Sequence, residues 1–141
     1  MRPPVAAGVP SPAHEQRCPC GSGPGYPQCC GPLHAGQPAA TAERLMRSRY
    51  SAFVLGLESY LLATWHPRTR PPALQLPATR WLGLEVRQHD AAGDTASVEF
   101  VARYKLAGKA HRLHEKSRFL RENDRWFYVD GEFPDPPRAR A

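Results

Sequence analysis

The chain lacks any apolar run approaching the roughly 18 residues that a membrane-spanning helix requires, which excludes an integral helical membrane protein. Residues 1–8 also lack the apolar core of a signal peptide, so we expect a cytoplasmic protein with no membrane partner. No nucleophile motif, phosphate-binding loop or dinucleotide fingerprint is present, and no catalytic residue is assigned. Lysine is scarce, with three lysines against sixteen arginines, and the net charge is +6. This moderate excess permits contact with RNA or an acidic protein but requires neither.

Proline is concentrated at the two ends of the chain. Nine of the sixteen prolines fall within residues 1–38, and three fall within 134–141. Because proline removes a backbone donor and restricts the residue before it, these ends are expected to lack regular structure over most of their length. We predict disordered tails at 1–16 and 134–141, a small cysteine module at 17–38 and one globular domain at 39–133.

All four cysteines lie within thirteen residues, in the spacing C-x-C-x8-C-C: Cys18, Cys20, Cys29 and Cys30. A cytoplasmic protein keeps such thiols reduced, and four thiolates gathered by a glycine-rich turn are typical of a tetrahedral zinc site. Since the protein supplies all four ligands, no position is open to substrate, and the zinc is expected to be structural. Unliganded cysteines, a redox pair, an iron–sulfur cluster and replacement of one ligand by His34 are the alternatives. His34 is otherwise expected to be an exposed loop histidine.

The string Cys-Pro-Cys-Gly-Ser-Gly at 18–23, followed by Tyr26 and by Cys-Cys at 29–30, resembles the SEC-C motif of the SecA translocase ATPase. The resemblance implies metal binding and a protein partner associated with translocation or with the ribosome. Places that usually carry lysine in that motif are here occupied by Pro24, Gly25, Pro27 and Gln28.

Hydrophobic residues at helical spacing predict a helix with its N-cap at Thr41 that runs to about Gly56. The arginines of this helix, Arg44, Arg47 and Arg49, are assigned to faces other than the apolar one.

A second helix is predicted from about Glu58 to Trp65. Strict alternation then predicts four strands joined by short turns, at 82–89, 97–104, 110–121 and 126–129. Helices followed by a curved antiparallel meander give an α+β fold.

The span from Cys18 to Gly131 resembles the YchJ family of small bacterial proteins. The resemblance implies a SEC-C motif joined to a nuclear-transport-factor-2-like (NTF2-like) domain, a cone in which helices pack on a curved antiparallel sheet. The blocks that carry it are Cys-Pro-Cys-Gly-Ser-Gly at 18–23, Cys-Cys-Gly-Pro-Leu-His at 29–34, Leu-Met-Arg-Ser-Arg-Tyr-Ser-Ala-Phe at 45–53, Thr-Trp-His-Pro at 64–67, Phe-Val-Ala-Arg-Tyr at 100–104, His-Glu-Lys-Ser-Arg-Phe at 114–119 and Trp-Phe-Tyr-Val-Asp-Gly at 126–131.

A cone of this kind encloses a pocket between sheet and helices. The candidate pocket residues are His66, Glu99, Arg103, Glu115 and Tyr128. Strand alternation places Glu115 on the more apolar face, where a carboxylate must be paired or have a raised pKa. The structural interpretation is an ion pair with Arg47 or Arg49 that locks helix to sheet.

The other candidates also have structural interpretations. Glu99 and Arg103 share a strand face, where a cross-strand salt bridge is the alternative to a pocket role. His66 precedes a proline and is expected to be a turn histidine hydrogen-bonded to backbone.

Two functions follow from these observations. The first is a zinc-binding adaptor whose cysteine module contacts a protein or ribonucleoprotein partner. The alternative is a small-molecule enzyme or ligand-binding protein that uses the pocket around Glu115 and His66. A nucleic-acid partner, contacted through Arg138, Arg140 and the helix arginines, is a third possibility.

Overall fold

The computed structural model describes residues 17–134. The tail predicted at 1–16 and nearly all of the tail predicted at 134–141 lie outside these residues. The described helices are a 3-10 turn at Tyr26–Gln28, α1 at Cys30–His34, α2 at Ala42–Leu55 and α3 at Glu58–Ala63. The strands are β1 at Thr79–Ala92, β2 at Thr95–Leu106, β3 at Lys109–Glu122 and β4 at Arg125–Glu132. Each helix in residues 17–134 is too short or too polar to cross a bilayer.

Helix α2 begins and ends where its capping residues predict. The Thr41 hydroxyl accepts a hydrogen bond from the Arg44 backbone N–H at 3.1 Å, and Gly56 adopts the left-handed conformation (φ 74°) that ends the helix. Helix α3 ends at Ala63, before the predicted Trp65. Its end comes early because Trp65 leaves the helix to form a parallel bridge with Tyr128 of β4.

The sheet is the predicted antiparallel meander, in the order β1-β2-β3-β4. Two-residue turns join its strands, and five of the six turn residues have positive φ: Gly93, Ala107, Gly108, Asn123 and Asp124. Strand β1 is longer than the predicted 82–89, because its pairing with β2 runs from Thr79 opposite Leu106 to Ala92 opposite Thr95.

Two stripes of α2 are buried, which is why the helix has more buried residues than one apolar face predicts. One stripe, at i, i+3, i+4 and i+7, faces the sheet: Met46, Arg49 and Tyr50 are buried, and Phe53 is half-buried. The other holds Ser48 and Ser51, which contact the cysteine module. The prediction that Arg49 lies away from the packed face is therefore wrong.

Candidate metal centre and ligand cavity

The structure brings the four predicted cysteine ligands together. The Sγ atoms of Cys18, Cys20, Cys29 and Cys30 all lie within 4.8 Å of one another, and each residue is at most 4% exposed. The Sγ–Sγ distance is 3.6 Å between Cys20 and Cys29 and 3.9 Å between Cys29 and Cys30. A tetrahedral ZnS4 site with Zn–S bonds of about 2.3 Å has Sγ–Sγ edges of about 3.8 Å. The donor set and its spacing therefore fit a thiolate-bound metal.

Local backbone geometry places these sulfurs. The N-terminal pair lies on a tight turn closed by a hydrogen bond from the Gly21 N–H to the Cys18 carbonyl at 3.1 Å. Gly21 has a φ of 77°, a conformation that a residue with a Cβ adopts at a cost. The second pair stands at the start of α1, between the 3-10 turn and the helix. Four ligands thus come from two short rigid segments.

Two serine hydroxyls bridge pairs of sulfurs. Ser22 Oγ lies 3.3 Å from Cys20 Sγ and 3.0 Å from Cys29 Sγ. Ser51 Oγ, on α2 and fully buried, lies 3.4 Å from Cys18 Sγ and 3.4 Å from Cys30 Sγ. Hydroxyls so placed can donate to thiolates and orient them around a cation.

The close packing of sulfurs also perturbs their protonation. The hydrogen bond with Cys30 is the main cause of a lowered pKa at Cys20, and the same bond, together with burial, raises the pKa of Cys30. Removing protons from all four thiols without a cation would concentrate negative charge in a buried site.

His34 docks the module on α2. Its Nε2 lies 2.8 Å from the Ser48 carbonyl and its Nδ1 lies 2.7 Å from the Tyr26 hydroxyl. Burial lowers the pKa of His34, which favours the neutral ring with Nε2–H donating to the carbonyl. Since both ring nitrogens are engaged, His34 does not replace a cysteine, and it is not the exposed loop histidine that its position suggests.

Arginines of α2 complete the docking. Arg47 Nη1 donates to the Cys20 carbonyl at 3.0 Å, and Arg44 Nη2 donates to the Cys29 carbonyl at 3.4 Å. Both guanidinium groups therefore lie beside a cluster that would carry excess negative charge with a metal bound.

A cavity of about 230 Å³ lies between the sheet and the stripe of α2 that faces the sheet. Its walls are mainly apolar and aromatic, and a few polar side chains contribute to the lining. The lining residues are Met46, Arg49, Tyr50, Phe53, Trp65, Trp81, Phe100, Ala102, Leu113, Glu115, Ser117, Phe119 and Tyr128.

Glu115 is 9% exposed and is held by two hydroxyls instead of an arginine. Its Oε2 accepts from Tyr128 Oη at 2.9 Å and from Ser117 Oγ at 3.0 Å. Burial, together with the charge of Glu115, raises the pKa of Tyr128, so the phenol stays protonated as the donor. The other oxygen, Oε1, has no hydrogen-bond partner among residues 17–134 and is available to a ligand.

Arg49 shares the cavity with Glu115 but does not form the expected ion pair. Its guanidinium carbon lies 4.7 Å from the Tyr128 ring centroid and 5.3 Å from that of Trp65, in cation–π contact with both. Nη1 donates to the Leu61 carbonyl at 2.8 Å and to Thr64 Oγ1 at 2.7 Å. Burial lowers the pKa of Arg49 to about 10, which leaves it charged at neutral pH. The link between helix and sheet therefore runs through Tyr128.

The remaining predicted pocket residues lie outside this cavity. His66 accepts the Arg68 N–H on Nδ1 at 3.0 Å, as a turn histidine does, and its Nε2 lies 2.9 Å from Glu122 Oε2. Glu99 and Arg103 alternate with cavity-lining residues on β2, so they point to the outer face of the sheet.

On that outer face Glu99 pairs with His114 of β3, at 2.7 Å between Oε2 and Nε2. This is a cross-strand pair of the kind expected for Glu99, and His114 is the partner.

Sequence reasoning missed Ser51 and Ser117 and misplaced Arg49. Each serine stands at a position of its helix or strand that faces the core. That placement in the sequence could have indicated a buried hydroxyl that makes a hydrogen bond. Arg49 stands three residues after Met46 and one before Tyr50, which is the spacing of the cavity stripe.

Known proteins are similar to this chain over most of its length. A family model described as "YchJ, middle NTF2-like domain" matches residues 41–131. The chain is 64% identical over 127 residues to a UPF0225 protein of Methylibium petroleiphilum, covering 86% of this chain and 91% of that one. It is 55% identical over 139 residues to a UPF0225 protein of Ralstonia nicotianae, covering 88% and 96%.

Two solved structures are similar over most of their length. The solution structure of a SEC-C motif containing protein from Rhodopseudomonas palustris has a TM-score of 0.76 at 35% identity, covering 84% of this chain and 98% of that one. The crystal structure of a SEC-C motif containing protein from Psychrobacter arcticus has a TM-score of 0.69 at 32% identity, covering 85% and 82%. The chain therefore belongs to the YchJ, or UPF0225, family, and it joins an NTF2-like domain to an N-terminal SEC-C cysteine cluster.

Proposed function

We propose that this protein binds a small organic molecule in the cavity between α2 and the sheet, and that a structural zinc ion fixes the helix that forms one wall. The observation that carries the proposal is the polar end of the cavity, where Oε1 of Glu115 has no hydrogen-bond partner among residues 17–134. Because this oxygen is open to the cavity and is not enclosed by protein, a ligand can complete its hydrogen bonding.

The cavity offers complementary groups to such a ligand. Glu115 Oε1 can accept a hydrogen bond, while Trp65 Nε1 is buried without an acceptor in the described part of the chain. Arg49 supplies positive charge near the carboxylate, so the polar end carries one charge of each sign. A neutral ligand keeps that balance. We therefore assign the site to a neutral aromatic or cyclic molecule with a group that both donates and accepts, such as an amide or a hydroxyl.

The test of ligand binding uses two probes of similar size: benzamide, which has a polar amide group, and ethylbenzene, which has none. Binding is measured from changes in the NMR chemical shifts of the protein. Benzamide is expected to shift signals of cavity residues, and Glu115→Gln should weaken its binding about tenfold, since a hydrogen bond to a charged group is lost. His66→Gln, outside the cavity, should leave binding unchanged. Equal binding by wild type and Glu115→Gln, or preference for ethylbenzene, would contradict the proposed polar end.

Zinc is the metal that the cluster fits best. Four thiolate ligands at tetrahedral spacing favour Zn²⁺, and full burial leaves no coordination position for substrate. Elemental analysis of protein purified without chelator should give one zinc per chain, with thiols that react only after the metal is stripped. Iron in place of zinc, or four freely reactive thiols, would contradict this assignment.

The adaptor role is retained as the second candidate. One observation favours it: Gly23 and Pro24, in the loop between the two cysteine pairs, are exposed and are not metal-ligand candidates, so a partner could contact them while the four thiols keep their positions. The proposed partner is translocation- or ribosome-associated. Co-sedimentation with purified ribosomes should be lost on replacing Pro24 and Gln28 by glutamate, changes that leave the ligands intact. Absence of co-sedimentation, or its persistence in that variant, would count against the adaptor.

A further inference from the structure

The two charged side chains at the polar end of the cavity come from different elements and share one neighbour. Arg49 of α2 is 6% exposed, Glu115 of β3 is 9% exposed, and both line the cavity. Tyr128 contacts both, because its hydroxyl donates to Glu115 and its ring lies 4.7 Å from the guanidinium carbon. Among residues 17–134 neither charged group forms an ion pair. Two opposite charges are therefore held side by side without neutralising each other directly.

The guanidinium group of Arg49 is fixed in orientation by its contacts. Nη1 donates to the Leu61 carbonyl at 2.8 Å and to Thr64 Oγ1 at 2.7 Å. The rings of Trp65 and Tyr128 pack against the same group. Nε and Nη2 make no hydrogen bond among the described residues, and neither nitrogen is enclosed by protein. This edge of a guanidinium presents two N–H groups side by side, which is the geometry that binds both oxygens of a carboxylate.

Glu115 offers a group of the opposite kind to the same ligand. Its Oε2 already accepts two hydroxyl hydrogen bonds, whereas Oε1 has no partner among residues 17–134. An ionised carboxylate only accepts hydrogen bonds, and its strongest ones come from charged donors such as an ammonium group. The polar end thus combines an edge that binds a carboxylate with an oxygen that binds an ammonium group.

The part of the cavity next to β1 is aromatic. Trp81 of β1 packs against Tyr50 and Phe53 of α2, with ring centroids 5.6 Å and 5.8 Å apart. All three line the cavity, whereas Glu115 and Tyr128 stand on β3 and β4. The volume of about 230 Å³ is below the range of about 300–1,000 Å³ that is typical of sites for drug-sized ligands. The cavity therefore suits a small molecule with charged groups at one end and an apolar group at the other.

We propose that the cavity binds a free α-amino acid with an aromatic side chain. Its carboxylate bonds the Nε–Nη2 edge of Arg49, its ammonium group donates to Glu115 Oε1, and its ring packs near Trp81. The inference rests on the proposed function and names its ligand class, since an α-amino acid has no net charge and keeps the balance of the polar end. A peptide chain lacks one of the two charged groups at each of its termini, so the site selects the free amino acid.

The first test compares three ligands that share a phenyl ring, with binding measured from changes in the NMR chemical shifts of the protein. L-Phenylalanine carries both charged groups, 3-phenylpropionate carries only the carboxylate, and phenethylamine carries only the ammonium group. Because each analogue loses a charge-assisted hydrogen bond, phenylalanine should bind at least about tenfold more tightly than either. Equal or tighter binding by either analogue would overturn the proposal. This comparison uses the unaltered protein, so it does not depend on the folding of a variant.

Two substitutions then assign each charged group of the ligand to its residue. Arg49→Lys keeps the charge but loses the paired N–H groups, so it should weaken phenylalanine and 3-phenylpropionate about tenfold without weakening phenethylamine. Glu115→Gln should weaken phenylalanine and phenethylamine by a similar factor without weakening 3-phenylpropionate. Arg118→Lys, at an exposed arginine that pairs with Asp130 at 2.7 Å, is the matched control and should change none of the three. A merely structural role of Arg49 or Glu115 would weaken all three ligands equally, and that result contradicts the proposal.

Benzamide separates this inference from the proposed function. Binding of benzamide without binding of phenylalanine would overturn the amino-acid assignment and leave the cavity as a site for uncharged ligands. Failure of both to bind would overturn the proposed function as well.

Discussion

At the scale of single residues, Glu115 and Gly131 depend on each other. A Cβ at position 131 would lie 2.7 Å from Glu115 Cδ and 2.9 Å from its Cγ, and it would overlap the carboxylate. Because two hydroxyls hold this side chain, it cannot move aside without losing them. Gly131→Ala should therefore lower the free energy of unfolding by about 2 kcal/mol, measured by urea denaturation.

Gly83→Ala is the control for that substitution, since the added methyl meets open space. It should change the free energy of unfolding by less than about 0.5 kcal/mol. If Gly131→Ala were as mild as Gly83→Ala, Glu115 would not be held rigidly, and the acceptor at the cavity's polar end would lose its fixed position.

Residue chemistry was only partly predictable from sequence. Strand alternation correctly placed Glu115 on the apolar face, because side-chain direction in a strand follows from position alone. Its partner was predicted wrongly, because the sequence does not show that Tyr128 stands between Glu115 and Arg49. A contact between three distant segments depends on tertiary packing, which the local pattern does not contain.

At the scale of elements, α2 contacts the sulfurs of the cysteine cluster through the hydroxyl of Ser51. Ser51→Ala removes a group 3.4 Å from each of two sulfurs and should weaken metal binding about tenfold. Competition with a chromogenic chelator measures this. Ser59→Ala, on the exposed side of α3, is the matched control and should have no effect. Equal metal affinity in Ser51→Ala and wild type would show that the Ser51 hydroxyl does not help to hold the metal.

Element boundaries were predictable where local chemistry sets them. Thr41 and Gly56 act within one turn of their own helix, so both ends of α2 could be read from the sequence. The end of α3 could not, because Trp65 is drawn away by pairing with Tyr128, 63 positions further along the chain. Long-range pairing likewise extends β1 to Thr79.

At the scale of the whole molecule, the cysteine cluster belongs to the same buried core as the helix and sheet. The four cysteines pack in one cluster with buried residues of α2, β2, β3 and β4, including Leu45, Phe100 and Trp126, and side chains of β1 pack against this cluster. Stripping the metal should therefore lower the melting temperature of the sheet by at least about 10 °C, in one transition. Calorimetry with and without chelator measures this. A sheet transition that stays in place after stripping would mean that the module is an independent appendage.

The meander itself determines the order in which the protein can fold. Every strand pairs with its neighbour in sequence across a two-residue turn, so no long loop must close before the sheet forms. Helix α2 and the cysteine module must instead join a sheet that begins more than twenty residues after the helix ends. We therefore expect assembly of the sheet to be the fast, local step of folding and the packing of α2 onto it to be the slow, long-range step. The cavity exists only once that last step is complete, which makes the capacity to bind a ligand the final property the chain acquires.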